Sequence, residues 1–269
     1  MPGSTATVVP RAAATTLIVR DGAPGLEVLM VRRSPHASFM PGAYVFPGGA
    51  VDAADSSMAH AAAIDEPIGQ LGQRIGAVTQ VGAQALAYAV AALRECFEEC
   101  GLWLGAADHH TPAAGWAALR ARLQGGETLA ALAADTGGRL GTSSLQPWSH
   151  WVTPAGMPKR FDTLFFVTAA PAGQVPEVDA GETTTLAWVH PPAALAAQAQ
   201  GEFPMEFATL RTVESLLPFS TAAAAGCAAV LAHAAAQTSL PPLHPRLRRD
   251  AEGRIAGVLL PGQPGYDTA

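Results

Sequence analysis

Charge is scarce in this chain. Charged residues make up 14% of it, and the formal net charge is −6. So little positive charge gives no support for binding nucleic acid or an anionic membrane surface. Cysteine is scarcer still, with three residues, Cys96, Cys100 and Cys227, which suggests a reducing compartment. Cys96 and Cys100 lie one helical turn apart, but no second Cys/His pair accompanies them. They read as small buried apolar residues rather than a zinc site. A basic segment followed by a leucine-rich one is missing from the N-terminus, so no signal peptide is read there. The end Asp267-Thr-Ala269 lacks a peroxisomal address of the Ser-Lys-Leu type. The uncharged run 221–243 is long enough to span a bilayer. It is mostly alanine, however, with His233, Gln237 and two prolines, and reads as a helix of a soluble protein. A cytoplasmic protein is the expectation.

What is present is apolar. About half of the 269 residues are hydrophobic (49%), which suits one large domain, or one and a half, with an ample core. The expected organisation is a loose tail over 1–10, a domain over 11–240 and a tail over 241–269 packed on it.

One stretch organises the rest: Ala92-Leu-Arg-Glu-Cys-Phe-Glu-Glu-Cys-Gly-Leu102. On a helix, Glu95, Glu98 and Glu99 stand at i, i+3 and i+4 and share a face. Leu93, Cys96 and Cys100 fall on the other side at core spacing. Gly101 suits a C′ position in the left-handed region. Three carboxylates on one face repel unless solvent, arginine or a cation offsets them. Hard divalent cations bind such oxygen ligands, usually shared with substrate phosphates. A solvated acidic helix end is the plain alternative.

The pattern Arg-Glu-apolar-x-Glu-Glu-x-Gly-apolar resembles the second half of the Nudix box. Its first half begins with a glycine and has an acid six positions on, here Gly49 and Asp55. The chain departs from the usual box twice. The first acid is Asp55 rather than glutamate, and residues 56–93 separate it from Arg94. An interrupted box resembles the coenzyme A diphosphatase-like branch of the Nudix hydrolases, of peroxisomal type with bacterial relatives. Blocks at 33–41, 45–49, 52–57, 151–166 and 259–267 are similar to that branch, so the likeness covers nearly the whole chain.

Taken in order, 12–20 and 26–33 read as strands around a turn at 21–25. A loop, 34–42, carries His36. Tyr44–Val51 breaks from a short strand into a glycine turn. The insertion is expected to be about 56–83, with a helical turn at 57–64 and irregular structure at 65–76. The box helix follows over 84–100. A helical insert of two short helices is expected within about 104–147. Strands are expected at 150–153 and 160–169, where Asp162 is unusual and should pair with an arginine. An acidic loop at 177–182 should lead into a strand carrying Trp188. Helices are expected at 191–200, 207–217 and 221–237, then a proline-rich tail with one short strand, 255–260.

The alternation fits an α/β fold, and the resemblance makes it the Nudix fold, an α/β/α sandwich around a mixed β-sheet with helical insertions. The resemblance implies hydrolysis of a diphosphate linkage in a nucleoside diphosphate derivative, with Mg²⁺ or Mn²⁺ as cofactor. Within the branch the implied substrate is coenzyme A or an acyl-CoA. It implies metal ligands at Glu95, Glu98, Glu99 and the Gly48 carbonyl. Glu98 and Glu182 are both candidates for the base. Arg94, which reaches Glu98 at i+4, should fix the carboxylates. The coenzyme A signature of better-known relatives has an arginine where this chain has Ser38, although Gly42 fits. Arg32, Arg33, His36 or Arg160 are the candidates to meet the 3′-phosphate instead, with Phe46 also placed at the substrate. A broad nucleotide diphosphatase and a non-catalytic Nudix binding module stay open as alternatives, as does a homodimer.

Overall fold

The structure is a computed structural model that describes residues 8–36, 40–106, 115–178, 183–220 and 226–268. Its strands are β1 (Arg11–Gly22), β2 (Gly25–Arg33), β3 (Tyr44–Val45), β4 (Gly48–Ala50), β5 (Gly105–Ala106), β6 (Arg139–Leu140), β7 (Gln146–Val152), β8 (Phe161–Ala169), β9 (Thr183–Val189), β10 (Arg246–Arg249) and β11 (Ile255–Leu259). Seven of them form one sheet in the order β3-β2-β1-β8-β7. In addition β4 pairs with the start of β1, and β9 pairs with β2. The β1–β8 pair is parallel and the other pairs are antiparallel, so the sheet is mixed.

Both faces of this sheet are covered, and β1 demonstrates why. Ala14 and Ile18 point into one apolar cluster, Leu17 and Val19 into the other. A strand buried on both sides carries a near-continuous apolar run rather than a clean alternation. On the first face lies the box helix, Ala85–Cys100. On the second lie the helices Phe207–Ser215 and Gly226–Ala235, through Val213, Val230 and Ala234. The result is an α/β/α sandwich around a mixed sheet, the architecture that the resemblance implies.

The box helix explains the insertions. From Ala85 to Leu93 every residue is buried. A helix that is apolar all round needs cover on its outer side as well. Ile64, Leu71 and Ile75 from the box insertion supply part of it. Leu119, Leu123, Leu129 and Leu132 from the helices Trp116–Gln124 and Leu129–Thr136 supply the rest.

Three expectations are corrected here. Residues 68–76 are not irregular: Ile68–Leu71 is helical and runs into a wide-turn helix, Gly72–Gly76. Its three glycines are overridden by packing. Leu71 and Ile75 are fully buried at i and i+4, and Arg74 bonds Glu66 Oε1 at 2.6 Å and the Thr142 carbonyl at 2.8 Å. Asp162 meets His150, on the neighbouring strand β7, rather than an arginine. The C-terminal tail holds two strands, not one, paired as a β10–β11 hairpin. Among the described residues no helix is long and apolar enough to cross a membrane.

Candidate active site

Gly101 ends the box helix at φ 67° and donates its N–H to the Phe97 carbonyl. This left-handed turn is the one the sequence called for. The last two turns of the helix aim Glu95, Glu98 and Glu99 at the start of the sheet, against β4. There the Gly48 N–H donates to Glu99 Oε2 at 3.0 Å. Gly49 stands so close to Glu95 that a Cβ on it would strike the carboxylate. Gly48 has a different constraint, since its Cβ would lie 2.5 Å from the Ala14 carbonyl and 2.7 Å from Thr15 Cα. One glycine admits a carboxylate and the other admits the neighbouring strand.

Arg94 is the hub. Its Nη1 donates to Glu95 at 2.8 Å and to Glu98 at 2.9 Å. Its Nε and Nη2 grip both oxygens of Asp55, at 3.1 and 3.2 Å, and Nη2 also reaches the Ala50 carbonyl at 2.8 Å. The interrupted box therefore closes in space. Asp55 is 1% exposed, and its Oδ2 also accepts the Asp52 N–H at 2.8 Å, a capping arrangement that fixes the entry to the insertion. A shorter acid suits this seat, because Asp55 starts from a one-turn helix already pressed against Arg94.

Burial favours losing the Arg94 charge, but the bond to Asp55 and the nearby Glu95, Asp55 and Glu98 charges outweigh it. The pKa is raised and the guanidinium stays cationic. Burial raises the Glu98 carboxyl, and Arg94 only partly opposes this, with Asp55 and Asp52 adding to the rise. Four carboxylates thus surround one guanidinium. The surplus is negative charge on oxygen donors, which is the donor chemistry of a hard divalent cation. Among the described residues no three His, Cys, Asp or Glu side chains are arranged to hold a metal ion together. Glu95 and Glu99 are nonetheless turned to a common cavity.

That cavity has a volume of about 520 Å³. Its floor crosses the sheet from β4 through β1 and β8 to β7, by way of Ala50, Ala13, Thr163 and Trp151. Three strand steps of about 4.8 Å make this row roughly 14 Å long. Arg33 and Phe46 line it, with Phe46 edge-on to Phe165. So does Lys159, the chain's only lysine. Arg160 is not among the lining residues. Its side chain reaches the carbonyls of Thr153 and Val8, at 3.0 and 2.7 Å. Arg32 likewise bonds the Gly42 carbonyl, at 3.2 Å. His36 is exposed outside the lining, and Glu98 is turned to Arg94. Ser38 and Glu182 lie outside the described residues.

Sequence reasoning missed Arg120. It is buried, donates Nε and Nη2 to the Glu98 carbonyl at 2.8 and 2.5 Å, and reaches the Glu177 and Val178 carbonyls with Nη1 at 3.0 and 3.2 Å. It caps the box helix and fastens the acidic loop to it. An arginine in the apolar run Trp116-Ala-Ala-Leu-Arg-Ala-Arg-Leu123 was the available signal.

The fold and the box are those of Nudix hydrolases, which this chain resembles. The family model for the NUDT19 Nudix domain matches residues 4–80. The chain is similar to the acyl-coenzyme A diphosphatase NUDT19 of Homo sapiens. The two are 31% identical over 180 residues, which is 54% of this chain and 48% of that one. The Gallus gallus protein of the same name is 29% identical over 233 residues, 68% of this chain and 61% of that one. The chain thus spans about half to three fifths of the length of these relatives. Among solved structures, a NUDIX hydrolase from Alicyclobacillus acidocaldarius superposes with TM-score 0.64 at 29% identity, covering 80% of this chain and 95% of that one.

Proposed function

We propose that the protein is a cytoplasmic hydrolase that cleaves the diphosphate linkage of coenzyme A or an acyl-CoA to 3′,5′-ADP and (acyl-)phosphopantetheine, and that it depends on Mg²⁺ or Mn²⁺. One observation carries this reading. Glu95 and Glu99 meet the Gly48–Gly49 edge at one end of a cavity whose remaining lining is largely apolar. A substrate suited to it carries phosphate at one end and a long, weakly polar arm beyond. The name borne by the NUDT19 relatives supports the choice of substrate.

Glu95, Glu98, Glu99 and the Gly48 carbonyl would hold the metal, which offsets the diphosphate charge and acidifies water when bound. Arg94 keeps Glu95 and Glu98 in place from behind, as a positioning residue. Glu98 and Glu182 are the two candidates to take the proton from the attacking water. Arg33 and Lys159, both in the lining, would meet a substrate phosphate. In this reading 11–240 is the hydrolase domain, with inserts at about 56–83 and 104–147, and 241–269 is laid on it.

The test is a panel of coenzyme A, acyl-CoAs, NADH, ADP-ribose and diadenosine polyphosphates with Mg²⁺ or Mn²⁺, run beside Glu99→Gln. Selective cleavage of coenzyme A compounds, lost in the variant and in chelator, is expected. Preference for another member of the panel would overturn the substrate. Binding without any turnover would overturn the catalytic reading.

A further inference from the structure

The far end of the cavity is built by a part of the chain outside the seven-stranded sheet. Strands β10 and β11 pair only with each other among the described residues. A lone two-stranded hairpin is marginal in water, so something else must hold it in place. Leu243, just before it, is laid alongside β7. Its N–H donates to the His150 carbonyl at 2.8 Å, and its carbonyl accepts from Val152 at 2.9 Å. Behind it, the Arg246 guanidinium lies 4.6 Å from the Tyr266 ring centre and donates to the Tyr266 and Asp267 carbonyls at 3.0 and 3.1 Å. Leu260 packs into the core on the same side of the sheet.

The register of the hairpin determines what it presents. Leu247 stands directly opposite Val258. Opposed residues in a β-pair project to the same face. Both line the cavity, together with buried Pro245. The flanking Arg246 and Arg248 belong to the opposite face by strand alternation. An apolar pair therefore faces inward from a hairpin whose adjacent positions are arginines. The floor row puts this wall past β7, three strands away from the β4 glycines and their carboxylates. A diphosphate held beside Glu95 and Glu99 leaves most of that length for whatever is attached to it.

We propose that the C-terminal hairpin is the end wall of an apolar-arm pocket, in which Leu247 and Val258 set the length of acyl chain accepted. This rests on the coenzyme A reading above. It assigns substrate discrimination to a segment far along the chain from the box and its insertion. Each methylene group that the pocket takes out of water should contribute about four-fold to kcat/KM, until the wall is met.

The experiment is a profile of kcat/KM against acyl length, from acetyl to dodecanoyl, for the full chain and for Leu247→Ser, Val258→Ser and Val258→Trp. Thermal melts run in parallel. The serine variants are expected to lower the octanoyl-to-acetyl ratio at least ten-fold, and Val258→Trp to move the optimum to shorter chains. Val258→Trp keeps the wall apolar, so it is informative even where a serine variant fails to fold. A length profile unchanged in the folded variants, or a loss equal for acetyl and octanoyl substrates, would overturn the proposal while leaving the coenzyme A reading intact. Failure of the unaltered protein to cleave any coenzyme A compound would instead sink that reading, and the wall with it.

Discussion

Arg94 and Asp55 stand 39 residues apart in the chain, yet they are joined by two nearly parallel hydrogen bonds, 3.1 and 3.2 Å long. Asp55 has almost no contact with solvent, and Arg94 is its charge partner. Removing one member of a buried pair leaves the other charged and desolvated. Arg94→Ala should lower unfolding free energy by about 3–5 kcal/mol. Arg94→Ala and Asp55→Ala together should cost clearly less than the sum of the two single changes. A double-mutant cycle by urea denaturation measures this. Additive losses would mean that the pair is not coupled.

Gly48 and Gly49 should separate fold from chemistry. In Gly49→Ala the new methyl meets the end of a flexible side chain, so Glu95 swings aside and the fold survives. Activity should fall about 10²-fold or more, as expected when a preorganised charged group is displaced, with little change in Tm. In Gly48→Ala the methyl meets the backbone of Ala14 and Thr15, which cannot move without shifting β1. Here Tm itself should drop. The reverse pattern would count against both assignments.

Arg120→Met keeps most of the length and apolar stem of the side chain and deletes its donors. Three carbonyls, of Glu98, Glu177 and Val178, then lose a partner. The expected cost is about 3 kcal/mol, roughly one for each carbonyl that loses its partner. Hydrogen exchange should also speed up locally around 177–178. If exchange rises evenly over the whole protein instead, Arg120 does not fasten the loop.

Stability should decline in alkali. Burial pushes the Cys96 thiol from its ordinary 9.0 up to about 12. Burial and then Asp162 push the Tyr88 hydroxyl from 10.0 to about 12. A raised folded-state pKa means that the neutral form is favoured in the folded protein. That contribution is complete below pH 9 and is lost between pH 9 and about 12. For Cys96 the loss approaches about 4 kcal/mol, at 1.4 kcal/mol per unit. Urea midpoints across this range, compared with Cys96→Ala, measure it. A flat profile in the unaltered protein would refute the assignment.

The box helix and its glycine stop were legible in the sequence because their information is local. Spacing of three and four residues puts Glu95, Glu98 and Glu99 on one face whatever surrounds them. The β1 and β2 strands were legible for the same reason. Closure of Asp55 onto Arg94 was not, since nothing near either residue encodes the path of 56–93. The helical state of 68–76 was hidden by glycines whose helix penalty is offset by the burial of Leu71 and Ile75. Strand β10 was hidden because three of its four residues are arginines, and only its partner strand reveals which face Leu247 occupies. Arg33 and Arg160 looked alike in sequence. One lines the cavity, while the other is taken up by the carbonyls of Thr153 and Val8.

The split box also carries a consequence for the order of folding. In an uninterrupted box the acid and the arginine meet within a few turns of chain, on the timescale of a local loop. Here the contact must wait until the insertion, about 56–83, has been threaded over the outer side of the box helix and packed. Closing so long a loop before its contacts form is entropically uphill, so the Asp55–Arg94 lock belongs to the late side of the folding barrier. On a ribosome, the box helix that carries Arg94 emerges after β1–β4, but before β7–β9 and before the second insert that covers it. The carboxylate array that Arg94 holds therefore takes its final arrangement only once the insertion has packed.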